Sequence, residues 1–78
     1  RTTLSFRLDH DASRASLRVY DVSGRLVRTL VDGALAAGDH EVMWLGDDAR
    51  GRAVASGVYL YRLEADGVQR SRTMVLVR

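Results

Sequence analysis

Apolar and polar residues alternate along much of this chain with a period of two. Leu4, Phe6 and Leu8 alternate with Thr3, Ser5 and Arg7, and Leu17 and Val19 alternate with Ser16, Arg18 and Tyr20. That period sends successive side chains to opposite faces of an extended backbone, so each run predicts a strand with one face on a core. Between the two runs, Asp9-His10-Asp11-Ala12-Ser13 supplies loop residues. Asp21-Val22-Ser23-Gly24 then makes a tight connection, because glycine tolerates positive φ and aspartate can bond its own downstream backbone. Arg25 to Val31 is apolar on both parities, which leaves its inward face ambiguous.

Asp32 to Asp39 carries Gly33 and Gly38 around Ala34-Leu35-Ala36-Ala37 and has room for one helical turn or a loop. His40 to Leu45 reads as a strand with Val42 and Trp44 inward. Gly46-Asp47-Asp48-Ala49-Arg50-Gly51-Arg52 is the most polar stretch and predicts a long turn before Ala53-Val54. Gly57 to Glu64 and Val68 to Val77 form a hairpin across Ala65-Asp66-Gly67, where Asp-Gly is a strong hairpin signal. Six or seven short strands with no sustained helical period point to an all-β antiparallel sandwich. No repeat or linker divides the chain, so residues 1–78 read as a single domain. Arg1 opens directly into a strand, which suggests a processed C-terminal piece of a longer precursor.

Composition narrows the classes. A chain of 78 residues buries only about 60 to 65% of its unfolded surface, and without cysteine no disulfide adds to that. All 12 basic residues are arginine, offset by 10 acids for a net charge of +2. They are spread singly, with Arg18, Arg28, Arg62, Arg70 and Arg72 assigned to outward strand positions, whereas a nucleic-acid site gathers cations along one track between stacking aromatics. Phe6, Tyr20, Trp44, Tyr59 and Tyr61 fall on strands, where core packing accounts for them; nucleic acid is not an expected partner. No apolar run is long enough to span a membrane as a helix, and no secretory signal is visible.

Candidate chemistry is sparse. Ser56 before Gly57 invites comparison with a nucleophile elbow, but Val54 stands where the first glycine would be and a strand follows, so Ser56 reads as a turn former. His10 and His40 are the only imidazoles, thirty residues apart in sequence, with no spacing that suggests a triad. Asp9 with Asp11, and Asp47 with Asp48, are the carboxylate pairs with calcium-binding chemistry, yet neither has the alternating ligand spacing of a calcium loop. No glycine-rich loop leads into a helix to cradle phosphate. These readings predict a non-enzymatic protein with no cofactor and no metal. In the strand from Gly57, Tyr59 and Tyr61 share a face with Leu63, and Val58 and Leu60 share the other with Arg62. Core is the reading for the tyrosines, and a neighbouring chain is a candidate cover for the second apolar face.

Several of these segments together carry a resemblance. Tyr20-Asp21-Val22-Ser23-Gly24-Arg25-Leu26-Val27-Arg28, Ala37-Gly38-Asp39-His40, Trp44 and Ser56-Gly57-Val58-Tyr59 follow one another as in the immunoglobulin-like module named after the flagellar hook-capping protein. The chain also resembles that module's relative, the C-terminal sorting domain of proteins exported by the bacterial type IX secretion system. The resemblance covers nearly the whole chain and implies a small immunoglobulin-like sandwich. Family spacing favours Val27 and Leu30 as buried, with a bulge or bend between them. It marks Gly24, Arg25, Val27, Gly38, Trp44, Gly57, Val58 and Tyr59 as motif positions, and the tail from Met74 to Arg78 as matching the sorting family. The expected core is Leu4, Phe6, Leu17, Val19, Val27, Val42, Trp44 and Tyr59.

The function this resemblance implies is a non-catalytic accessory domain of a secreted bacterial protein, extracellular or at the cell surface, docking to secretion or surface machinery. The alternative is a self-assembling subunit of an extracellular filament or tube. Strands Thr2 to Leu8 and Thr73 to Val77 have neither proline nor lysine to guard an exposed edge, which makes Leu4, Phe6, Met74 and Leu76 candidate interface residues with a second copy. A carbohydrate-binding module is a weaker third reading, because a single Trp supplies no flat aromatic platform. The absence of any metal-ligand spacing makes one expectation measurable: the melting temperature should not respond to chelator or to added Ca²⁺. A rise of several degrees with Ca²⁺, abolished by Asp47→Asn with Asp48→Asn, would instead place a cation site in the polar loop.

Overall fold

Alternation becomes two antiparallel sheets in the computed structural model, which describes residues 2–77; Arg1 and Arg78, at the expected processing site and tail end, lie outside the described residues. Among those residues six strands form: β1 (Thr2–Leu8), β2 (Ala12–Asp21), β3 (Leu26–Leu35), β4 (Gly38–Trp44), β5 (Gly57–Ala65) and β6 (Val68–Leu76). β1 and β4 make a two-stranded sheet, and the other four make a second sheet in the order β3-β2-β5-β6. This is the small immunoglobulin-like sandwich expected, at the six-strand end of the range.

The core forms where the inward positions of the two sheets meet. Leu4 and Trp44 from the small sheet are buried with Leu17, Val19, Tyr59 and Leu63 from the large one. Phe6 and Val42, also expected in the core, are only partly buried and pack against its margin. Leu8, Ala12, Ala15 and Leu76 are buried as well, beyond the residues singled out from the pattern.

Register resolves the ambiguous third strand. Leu17 pairs with Val31 but Arg18 pairs with Thr29, and Val19 pairs with Arg28 but Tyr20 pairs with Leu26. Leu30 and Val27 are thus each an extra residue in β3. A residue inserted against one on the partner strand resets the alternation, so no single parity can describe the segment. Val27 is buried and Leu30 is half-buried, in keeping with the family spacing.

Two expectations are corrected here. Gly33 to Leu35 is not a helical turn: it continues β3, and Ala36-Ala37 crosses to the other sheet. Arg70 and Arg72 are not on the outward face of β6. They pair directly with Leu63 and Tyr61, and directly opposed residues in a ladder share a face. They lie on the inward face yet remain exposed, because a two-stranded sheet is too narrow to cover a four-stranded one. Arg28 is likewise half-buried rather than outward.

Trp44 has no exposed surface and meets the Tyr59 ring edge-on with centroids 5.0 Å apart, so it joins the two sheets. Its Nε1–H donates to the Asp47 carbonyl at 2.9 Å. The Tyr59 hydroxyl donates to the Ala55 carbonyl four residues upstream at 2.6 Å, the device known in immunoglobulin-like sandwiches as a tyrosine corner. Trp44→Ala should cost about 3 to 5 kcal/mol, enough to unfold much of a domain this small. Tyr59→Phe, which removes one hydrogen bond, should cost about 1 kcal/mol. Urea denaturation followed by circular dichroism measures both, and equal losses for the two variants would refute the assigned role of Trp44.

Candidate functional site

Most of the side chains with chemistry are occupied in holding turns. At the β2–β3 turn, Asp21 Oδ1 accepts from the Ser23 amide (3.0 Å), the Ser23 hydroxyl (2.6 Å) and the Arg25 amide (3.0 Å). Gly24 sits at φ +88°, a conformation that costs a residue with a Cβ. Asp21, Gly24 and Arg25 of the motif therefore make a turn. At the β5–β6 turn, Asp66 and Gly67 have φ +47° and +88°, as the two central residues of a type I′ hairpin require. Asp66 also reaches sideways: its carboxylate accepts from the amides of Ser13 and Arg14 at 3.2 and 3.0 Å, tying the hairpin to the start of β2.

Of the acids with calcium chemistry, Asp11, Asp47 and Asp48 are engaged in the same manner, and Asp9 lines the groove beside β1. Asp47 Oδ2 lies 2.9 Å from Arg28 Nη1, and that guanidinium also donates to the Asp48 carbonyl at 2.7 Å. Asp48 Oδ1 accepts from the amides of Arg50 and Arg52 at 2.9 and 3.0 Å. Asp11 accepts from the Ala37 amide at 2.8 Å. Among the described residues, no three of His, Cys, Asp and Glu come together as a metal-binding group.

The two histidines are not brought into a catalytic arrangement. His40 stacks on Phe6 with centroids 5.2 Å apart, and its Nε2 lies 2.6 Å from the Ala36 carbonyl. His10 lines the mouth of a groove between β1 and the β5–β6 hairpin. Ser56 precedes β5, a strand, rather than the helix an elbow requires.

What remains free to meet a partner is surface. On the outer face of the large sheet, Leu26, Tyr20 and Leu60 form one cross-strand row, and Val58 and Val75 form a neighbouring pair. Val58 is 46% exposed and Val75 63%. Beside this patch Arg18 and Arg62 face each other across β2 and β5, with the Arg62 guanidinium 5.0 Å from the centre of the Tyr20 ring. Of the candidate interface residues, Leu4 and Leu76 are each 1% exposed and are occupied by the core. Phe6 and Met74 are partly buried beside it.

With this geometry in place, comparison with known proteins decides the family. The sequence profile of the FlgD Ig-like domain matches residues 1–68. This chain belongs to the FlgD Ig-like domain family. It is similar to the basal-body rod modification protein FlgD of Salmonella typhimurium strain LT2 and to that of Salmonella typhi, at 36% identity over 58 residues in each case. Those alignments take in 74% of this chain and 25% of each relative, so the chain spans about a quarter of the length of those relatives. The crystal structure of FlgD from P. aeruginosa superposes with a TM-score of 0.73 at 28% identity, covering 95% of this chain and 58% of that one.

These relatives correct the function expected from sequence. The hook-capping half of the resemblance stands, and the sorting half does not. A role in type IX sorting or surface attachment, and the alternative of an extracellular filament or tube, are both overturned, since the family that matches is that of FlgD and the matching relatives are named as basal-body rod modification proteins. The extracellular or cell-surface location falls with them. The physical reason lies in the motif. Asp21, Gly24, Trp44 and Tyr59 hold turns and core, so they specify a sandwich and carry no information about export.

The turn carboxylates predict how stability responds to acid. Asp21 is held below its ordinary value of 3.8, first by the Ser23 hydroxyl and then by the Arg25 amide. Asp48 is lowered by the Arg52 amide above all, and Asp66 by the amides of Arg14 and Ser13. A folded pKa below the unfolded one means that the unfolded chain binds more protons in that interval. Stability from these groups is thus present above about pH 4 and is lost as pH falls through the folded values. The melting temperature should be level from pH 7 to pH 5 and decline below pH 4, with a shallower decline in Asp21→Asn with Asp66→Asn. A melting temperature unchanged down to pH 2 would contradict these bonds.

Proposed function

We propose that this chain is a non-catalytic immunoglobulin-like module of a FlgD-type protein and acts in flagellar rod and hook assembly through contacts with other proteins. The observation that carries this reading is the family match over residues 1–68, supported by 36% identity to rod modification proteins. The arrangement of the polar side chains supports the non-catalytic part: Asp11, Asp21, Asp39, Asp47, Asp48, Asp66 and His40 are engaged in turns, ion pairs and bonds to the backbone. In this reading residues 1–78 make one module. Gly24, Arg25, Val27, Gly38, Trp44, Gly57 and Tyr59 serve to build it, while binding falls to the exposed strand surfaces, Val58 among them.

The test is replacement of the matching segment of Salmonella typhimurium FlgD by this chain. Swimming motility and completed hooks seen by electron microscopy are expected from the chimera, at a reduced level given the sequence distance. A chimera that is folded and present at normal amounts but assembles no hooks would overturn the proposal.

A further inference from the structure

The open corner of the sandwich has the character of a peptide-binding site. β6 is the outermost strand of its sheet, so one row of its backbone N–H and C=O groups faces away from any described strand. The inward positions at its beginning are Val68, Arg70 and Arg72, each paired to β5 through Ala65, Leu63 and Tyr61. Val68 is 60% exposed. Among the described residues neither Arg70 nor Arg72 takes part in an ion pair. Arg70 lines a groove of about 290 Å³ with Leu8 and Leu63 among its apolar lining, and a smaller groove against Phe6 and Tyr61 is lined by both Arg70 and Arg72.

We infer that β6 accepts an extended acidic segment of a partner protein, which adds to the sheet as an antiparallel strand with carboxylates two residues apart opposite Arg72 and Arg70 and an apolar residue opposite Val68. Three observations converge on that occupant. A free edge supplies main-chain hydrogen bonds without regard to sequence, which is how strand addition gains affinity. The period of two puts residues i and i+2 of the added strand on one face, and two unpaired guanidiniums with that spacing call for carboxylates. The exposed Val68 favours an apolar residue two positions further on. The segment therefore reads acid-x-acid-x-apolar. Asp9, Asp11 and Asp66 line the larger groove, and no acid lines the smaller one that holds Arg70 and Arg72, so carboxylates of the added strand are favoured toward Arg70 and Arg72.

The same charges argue against a second copy in this place. β6 laid antiparallel on another β6 about Arg70 and Arg72 brings arginines together, and like charges directly opposed are unfavourable. β4 does carry Asp39 and Glu41 at the required spacing, with Asp39 in an exposed ion pair with Arg7 at 3.1 Å, and a second copy presenting that strand is the outcome that sedimentation reads. The occupant inferred is a separate chain. The inference rests on the proposed function only in treating the module as one that binds protein, and its test involves no flagellar readout.

The probe is the synthetic peptide Thr-Glu-Thr-Glu-Thr-Val-Thr, capped at both ends and titrated into the isotopically labelled chain with amide chemical shifts as readout. Saturable shifts confined to β6 and the facing residues of β1 are expected, with binding weakened about tenfold or more in Arg70→Gln with Arg72→Gln and for a peptide with Gln in place of Glu. Because both arginines are exposed, the variant should keep the native amide spectrum elsewhere, and a single Arg72→Gln change with a smaller loss serves if the double variant does not. A peptide with its two Glu adjacent should bind as weakly as the Gln peptide. No binding at millimolar peptide, equal binding by the Gln peptide, or shifts confined to the outer face would each overturn the inference. So would a free chain found dimeric by sedimentation with its β6 amides already protected from exchange.

Discussion

Trp44 is where the two sheets and the polar loop are joined. With five aromatic residues in 78, the core has few large side chains to span the gap of about 10 Å between packed sheets. The Trp44 ring fills that gap from β4 and meets Tyr59 from β5 edge-on. Because its Nε1–H is also bonded to the Asp47 carbonyl, the loop after β4 is placed by the same side chain. That loop in turn holds Arg28 through Asp47 and the Asp48 carbonyl, and the Ala49 amide donates to the Val27 carbonyl at 3.1 Å. Core, loop and the bulged strand β3 are therefore coupled through one indole, and a defect there reaches all three.

The second constraint is the inequality of the sheets. Two strands cannot cover four, so some of the inward surface of the larger sheet stays open. At β6 the cover is complete near Leu76, which is buried, and absent near Val68. Arginine at the open positions 70 and 72 keeps that surface solvated, and an inward-pointing charge on an edge strand is a known guard against promiscuous pairing. A guard of this kind is selective rather than absolute. It rejects a neutral or basic strand and leaves the edge available to an acidic one.

The sequence disclosed the strands and most of the core because their signals are local. Alternation over β1, β2 and β4 and the Asp66-Gly67 turn each require only a few neighbouring residues. The third strand was legible only as an ambiguity, since two extra residues, Val27 and Leu30, each shift the face and leave no single parity to find. The faces of Arg70 and Arg72 were misread because charge on a strand normally marks the solvent side. Which inward positions go uncovered depends on the width of the opposing sheet, a property of the whole fold. The site suffered from the same limit. Conspicuous motif residues turned out to serve turns and core, whereas the open edge carries residues that look ordinary in sequence. The Asp66 link to Ser13 and Arg14, between residues some fifty positions apart, had no sequence signal at all.

A net charge of +2 gives little indication of the field this protein presents. Four acids, Asp21, Asp47, Asp48 and Asp66, sit at turns or in the polar loop and accept bonds from nearby backbone amides or from Arg28, whereas Asp32, Asp39, Glu41 and Glu64 lie on strands. Arg18, Arg62, Arg70 and Arg72 lie on the extended strands β2, β5 and β6, where no described ion pair offsets them. A local field can steer a partner even when the total charge is near zero. Of these arginines, Arg18 and Arg62 lie on the outer face of the sheet, and Arg70 and Arg72 at the open corner beside β6. A partner drawn to Arg70 and Arg72 meets a free backbone edge on arrival, so the feature that attracts it and the feature that can hold it coincide.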